Sequence, residues 1–226
     1  NKLLTKAIDI SKFSECEDAI SEAVGNFGRI DILINNAGLG MGSVREDHHV
    51  KLVGIDEVTP EIWENMLSVN LTGPWNMTKA SITALRDSPA GRILNVTTSF
   101  FTMLRGKFHP YGPSKSGFEA MSAGHASEFL CDGITVNVIV PGGPADTPMV
   151  PEGAGWDRST LVSPIKMTYP AIWLCSDEAK EVSGKRFVAG AWDPDETLET
   201  NRANTESPIG WPELAQTPIW PGGKPE

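Results

Sequence analysis

The sequence predicts an α/β domain, a doubly wound parallel sheet with helices on both faces. Three observations carry this. Short apolar runs rich in branched residues recur at Ile30-Asp31-Ile32-Leu33-Ile34, Ile93-Leu94-Asn95-Val96-Thr97 and Ile134-Thr135-Val136-Asn137-Val138-Ile139-Val140. Runs that are nearly continuous rather than alternating suit parallel strands covered on both faces. Between them lie stretches whose apolar residues recur at three and four, the period of an amphipathic helix. A strand, a helix and another such strand imply right-handed crossovers within one parallel sheet.

In chain order, Ala7-Ile8-Asp9-Ile10-Ser11 reads as the end of a short strand and a polar turn. Phe13, Cys16, Ala19, Ile20, Ala23, Val24 and Phe27 form one buried stripe of a helix that ends at 26–28. The run at 30–34 is the next strand, leading directly into Asn35-Asn36-Ala37-Gly38. Residues 39–58 are Gly-rich and then charged, with His48-His49 in the middle. With no cysteine or carboxylate at ligand spacing, they read as a loop insertion, and no metal site is expected. Thr59-Pro60-Glu61 is a helix start, with a hydroxyl cap, proline at the first position and an acid in the first turn. That helix runs towards Asn70, and a second stretch follows Gly73-Pro74 as far as Leu85. The strand at 93–97 ends in Thr98-Ser99. A helix beginning near Tyr111 reaches Phe129, the strand at 134–140 stops at Pro141-Gly142-Gly143-Pro144, and 149–163 has the composition of a flap. Residues 171–174 lie in a short helix, and 186–189 form a last strand. We expect the domain to occupy 1–196 and a Pro/Trp-containing tail, extended rather than packed, to occupy 197–226.

Bulk properties limit the function. A chain of 226 residues suits one large domain or a domain with an appendage. A formal charge of −10 argues against a nucleic-acid or anionic-membrane surface. No apolar run approaches the roughly 18 residues of a membrane span. Three scattered cysteines, Cys16, Cys131 and Cys175, read as reduced thiols of a cytoplasmic protein.

The chemistry concentrates at Tyr111-Gly112-Pro113-Ser114-Lys115. On a helix, residues four apart share a face, so the Lys115 ammonium can sit beside the Tyr111 phenol. A phenol titrates near ~10. A neighbouring positive charge favours the phenolate and would make Tyr111 a usable general acid or base.

Asn35-Asn36-Ala37-Gly38 after a strand, Asn70, Thr98-Ser99, Tyr111-x-x-x-Lys115 and Pro141-Gly142 stand in one order on a strand–helix framework. In this the chain resembles the short-chain dehydrogenase/reductase family over roughly residues 7–193. The resemblance implies a Rossmann-like fold, NAD or NADP as cofactor, and an alcohol or carbonyl small molecule as substrate. Tyr111 would pass the proton and, with Lys115, bind the cofactor; Lys115 would also lower the Tyr111 pKa and hold the nicotinamide ribose, and Asn70 would bind a relay water. Asn36, Ala37 and Gly38 would line the cofactor, Asp9 and Ile10 would touch its adenine, and Pro141, Gly142, Gly143 and Thr147 would border the nicotinamide. The substrate-binding hydroxyl falls on Thr98 by count, thirteen positions before Tyr111, and on Ser99 by residue type. The substrate pocket is expected from the 99–110 loop and the 144–165 flap. The resemblance also implies a homodimer or homotetramer.

The family's opening strand, Gly-rich turn and helix are not found at the start of this sequence. The expectation is an N-terminally incomplete enzyme short of about 50 residues, on the order of one and a half βαβ units. A non-catalytic scaffold that has lost dinucleotide binding is the alternative, and a lyase or epimerase using the same tyrosine is a third reading.

Overall fold

A computed structural model describes residues 2–215. A five-stranded sheet forms its centre, ordered β1 (Ile32–Asn35), β2 (Arg92–Val96), β3 (Thr135–Val140), β4 (Lys185–Val188) and β5 (Glu206–Pro208). The first four are parallel and β5 runs antiparallel to β4. The α/β sheet of the sequence reading is therefore present. β3 is buried at every position, as a strand covered on both faces should be. Its Val136, Val138 and Val140 are wholly buried, each removing about 1.5–3 kcal/mol of apolar side chain from water.

β1 departs from that pattern. It alternates, with Leu33 and Asn35 buried while Ile32 and Ile34 stay 37% and 50% exposed. That face of β1 is only partly covered.

Helices α1 (Phe13–Phe27), α2 (Pro60–Leu67), α3 (Gly73–Arg86), α4 (Phe100–Leu104), α5 (Tyr111–Glu128), α6 (Thr168–Leu174) and α7 (Leu198–Thr205) flank the sheet. The Thr59 cap is as expected, its hydroxyl accepting from the Ile62 N–H at 3.3 Å. The expected break at Gly73-Pro74 is instead a π turn over Ser68–Thr72 that joins α2 to α3. Proline at 74 removes the N–H that would bond the Asn70 carbonyl in an α-helix, so the ladder is disturbed one turn earlier.

Three expectations need correction. Residues 7–10 form no strand: the Asp9 N–H goes to the Glu15 carboxylate at 2.8 Å, and the Ile10 carbonyl accepts from Asn76 at 2.9 Å. A strand needs a hydrogen-bonded neighbour, and here the backbone is engaged by side chains of α1 and α3. Residues 100–104, expected as loop, form α4 because the Ser99 hydroxyl caps it, accepting from Thr102 N–H at 3.1 Å. Residues 197–208, expected to begin an extended tail, form α7 and β5. Thr197 caps α7, and Phe187 pairs with Glu206 across β4 and β5. Beyond it Ile209 is buried in the main core, and Trp211 packs on Phe100 at 5.5 Å between centroids. The remainder of the expected tail, 216–226, lies outside the described residues.

Candidate active site

Tyr111 opens α5 and Lys115 follows one turn on; they are 9% and 4% exposed. The Lys115 ammonium donates to the Val96 carbonyl at the end of β2, 3.0 Å away, and lies 5.4 Å from the Phe118 ring centre. One carbonyl uses one of its three N–H donors. Burial lowers the Lys115 pKa from 10.5 to about 8. The expected effect of Lys115 on Tyr111 is not what this geometry gives. Burial pushes the Tyr111 phenol above its ordinary value, and the nearby Thr98 hydroxyl, which favours the phenolate, pulls it part of the way back. Desolvation of the phenolate outweighs any help from a cation that is itself desolvated.

The two candidate hydroxyls differ in their surroundings. Ser99 Oγ is committed to α4, 3.1 Å from Thr102 N and 2.9 Å from Thr102 Oγ1, whereas the Thr98 hydroxyl makes no such bond among the described residues and lies near enough to Tyr111 to favour its phenolate. Counting along the chain also favours Thr98.

Asn70 is fully buried in the π turn. Its Oδ1 accepts from Leu39 N–H at 2.7 Å, and its Nδ2 donates to the Leu39 carbonyl at 2.9 Å and to Ser114 Oγ at 3.2 Å. The side chain thus clamps the turn after β1 onto α5. Pro74 has no N–H to offer the Asn70 backbone carbonyl in the α-helical pattern.

The β1 turn sits tightly against this pair. A Cβ on Gly38 would lie 3.1 Å from Asn70 Oδ1 and 3.5 Å from Lys115 Nζ. Neighbouring Asn36 and Ala37 are exposed. At the end of β3, Gly142 has φ +90°, and a Cβ there would meet Val188 at 2.6 Å, so the Pro141-Gly142-Gly143 turn requires glycine. The Thr147 hydroxyl bonds weakly back to the Ala145 carbonyl at 3.4 Å. Beyond it the 144–163 segment is a flap closed at its base by Asp146 N–H to Val162 O (2.9 Å) and Val162 N–H to Pro144 O (2.9 Å). Arg158, ion-paired to Asp146, also donates to the Val150 carbonyl at 3.2 Å. Ile10 lies against the start of α3, where a Cβ on Gly73 would come 2.7 Å from its side chain. The Asp9 carboxylate accepts from Ser11 N–H and hydroxyl at 3.0 and 2.6 Å, so its side chain is committed to that turn.

His48 and His49 lie in the insertion, His49 Nε2 meeting the Gly153 carbonyl of the flap at 2.9 Å. Among the described residues no group of three His, Cys, Asp or Glu could hold a metal, and none of the helices is long and apolar enough to cross a membrane. A hollow of about 740 Å³ lies beside the start of α5, lined by Lys51, Leu52, Gly54, Ile55, Asp56, Glu57, Lys107 and His109.

Sequence reasoning missed two polar sets behind the site. Asn35 Nδ2 donates to Asn95 Oδ1 at 2.9 Å, and Asn95 Nδ2 to Ser122 Oγ at 2.8 Å, tying β1, β2 and α5 together. Arg186 of β4 and Glu119 of α5 form a buried ion pair at 2.9 Å. The available signal was polar residues standing inside otherwise apolar runs at 95 and 186.

These residues fit a nicotinamide cofactor. A buried ammonium with donors to spare faces a turn with no side chain at Gly38, which suits ribose hydroxyls, and glycines at 142 and 143 leave the opposite rim open.

Comparison with known proteins gives the same picture. A family model described as short chain dehydrogenase matches residues 1–157. An acetoacetyl-CoA reductase of Rhizobium meliloti (strain 1021) is 30% identical over 192 residues, covering 80% of this chain and 75% of the relative. A D-beta-hydroxybutyrate dehydrogenase of Cupriavidus necator is 28% identical over 206 residues, covering 81% and 76%. Among solved structures, a short chain dehydrogenase from Escherichia coli CFT073 complexed with NADPH superposes with TM-score 0.69 at 25% identity, covering 80% of this chain and 72% of that one.

Proposed function

The chain belongs to the short-chain dehydrogenase family and is an NAD(P)-dependent oxidoreductase; on that premise we propose that Tyr111, Thr98 and Lys115 interconvert an alcohol and a carbonyl. The observation that carries the assignment is Tyr111 and Lys115 buried one turn apart on α5, with the Lys115 ammonium held on the carbonyl at the end of β2, two residues before Thr98. A non-catalytic scaffold is not favoured, because its relatives are reductases and dehydrogenases.

When bound, the cofactor supplies or accepts the hydride. Lys115 and the turn at Asn36, Ala37 and Gly38 would hold its ribose side, and Pro141, Gly142, Gly143 and Thr147 its amide side, with the backbone of Asp9 and Ile10 towards the adenine. In the reducing direction the hydroxyls of Thr98 and Tyr111 donate to the substrate carbonyl oxygen, drawing charge onto it. Tyr111 then gives its proton to that oxygen, so hydride and proton together make the alcohol. Burial keeps Tyr111 protonated beforehand, as a general acid must be. Lys115, with a pKa of about 8, can return a proton to the phenolate near neutral pH, where an ordinary lysine would hold it too tightly. Asn70, buried in the π turn, would bind the water that passes that proton on.

For the substrate we propose a short 3-hydroxy or 3-oxo acyl compound, the remainder of which enters the hollow walled by Lys107 and His109. The named activities of two relatives support this class. Free cysteines and an acidic surface support a cytoplasmic enzyme that binds no nucleic acid, and the resemblance supports a homodimer or homotetramer. The test is a panel of 3-hydroxy acids, their CoA esters, sugars and simple secondary alcohols, followed by nicotinamide absorbance. The 3-hydroxyacyl compounds should give the highest kcat/KM, and a preference for sugars would refute the substrate class.

A further inference from the structure

Thr98 lies outside both flanking elements, two residues past the end of β2 and two before α4. The last sheet-type bond on this side is Thr97 N–H to the Ile139 carbonyl at 3.3 Å. Regular structure therefore does not fix the backbone of the residue proposed above as the hydroxyl partner of Tyr111. Arg186 does: one guanidinium nitrogen donates to the Thr98 carbonyl at 2.7 Å. Its other terminal nitrogen donates to Thr97 Oγ1 at 3.2 Å and to Glu119 Oε2 at 2.9 Å, and Thr97 Oγ1 donates to that same oxygen at 2.6 Å. Glu119 belongs to α5, two turns beyond Tyr111, and its second oxygen accepts from Gly210 N–H at 3.3 Å. The guanidinium plane lies 4.2 Å from the Phe100 ring centre, and Phe100 is backed by Trp211.

Two charges 3% and 0% exposed are costly to bury, and apolar residues of similar volume often stabilise such a site equally well. What the pair adds is geometry: a planar fork with fixed directions joins β4, the end of β2 and the helix that carries Tyr111. We propose that Arg186 and Glu119 are positioning residues for the reaction, holding Thr98 by its carbonyl so that its hydroxyl keeps its place beside Tyr111. The inference rests on the assignment of Thr98 as the hydroxyl partner of Tyr111.

The chain has two tyrosines, Tyr111 and Tyr169, so a Tyr169→Phe background leaves Tyr111 as its single phenol. Its ionisation can be read by ultraviolet difference absorbance in the full chain without cofactor or substrate, using rapid mixing ahead of alkaline unfolding. Lys115, the charged neighbour on α5, is kept in every variant. Thr98→Val removes the hydroxyl that favours the phenolate, so the midpoint should rise. The charge-balanced double substitution Arg186→Met/Glu119→Gln should raise it in the same direction, and adding Thr98→Val to that double should raise it little further. Arg186→Lys, which keeps the charge but not the fork, should give a smaller rise and serves if the double variant does not fold. A merely structural role predicts the opposite sign, because a loosened and wetted site relieves the burial that holds Tyr111 high. A fall, an unmoved midpoint in folded Arg186→Lys, or shifts that add in full to that of Thr98→Val would overturn the proposal. An unmoved midpoint in Thr98→Val itself would remove the Thr98–Tyr111 contact on which both readings stand.

Discussion

Lys115→Met should stabilise the protein while inactivating it. Burial moves the lysine from 10.5 to about 8. At about 1.36 kcal/mol per pH unit, that difference opposes folding by about 3 kcal/mol at neutral pH. Methionine has similar length and no charge, but leaves the Val96 carbonyl without its donor, a loss of about 1–3 kcal/mol. The net expectation is a gain of about 0–2 kcal/mol, or a Tm higher by up to a few degrees for a domain of this size. The pH dependence is the sharper test. Unfolded, the lysine keeps its proton up to 10.5; folded, it releases it near 8. Opposition to folding is therefore full below pH 8 and is relieved as pH rises from 8 towards 10.5. Wild type should gain about 1.4 kcal/mol on Lys115→Met between pH 7 and pH 9. Cys16 and Cys175, raised by burial, act in the opposite sense at alkaline pH, but they are common to both proteins and cancel in the difference. Urea unfolding of both proteins at the two pH values measures it. A difference that stays constant with pH, together with a destabilised Lys115→Met, would show that the charge is compensated in the fold and that its shifted proton affinity is not real.

Thr98→Val should lower kcat about 10- to 100-fold by removing a hydrogen bond to developing charge, with unfolding free energy little changed, as steady-state kinetics and urea titration would show. Ser99→Ala should do the reverse, costing about 1 kcal/mol of stability through the lost α4 cap while sparing kcat. Gly38→Ala should destabilise by about 1–3 kcal/mol, measurable by thermal unfolding, because the added methyl meets an Asn70 oxygen already pinned at 2.7 Å.

Much of this fold was legible because apolar periodicity reports burial directly: β3, α1 and α5 all stand where the pattern put them. Pairing is another matter. Residues 7–10 look like a strand, but a strand is defined by a partner, and these backbone groups found side chains instead. α7 carries few apolar residues and is held by Asn201, which bonds Asp193 at both backbone N–H and carbonyl, so hydrophobic patterning gave no sign of it. At the site, Tyr111, Lys115 and Asn70 were legible from spacing and type. The choice between Thr98 and Ser99 was not, because it depends on where α4 begins. Arg186 and Glu119, 67 positions apart, look like surface charges until the fold brings them together. The direction of the Tyr111 shift also needed the structure, since sequence shows the neighbouring cation but not the loss of water.

The most direct measurement of the central claim compares Tyr111→Phe with wild type, taking kcat from steady-state kinetics and NADH and NADPH affinity from nicotinamide fluorescence. The phenol hydroxyl acts on the substrate oxygen, while Lys115 and the turn at 36–38 carry most of the hold on the cofactor. Turnover should therefore fall by roughly 10²-fold or more, with cofactor affinity nearly unchanged. Retained turnover, or an equal loss of turnover and affinity, would contradict it and return Tyr111 to the role of a core residue.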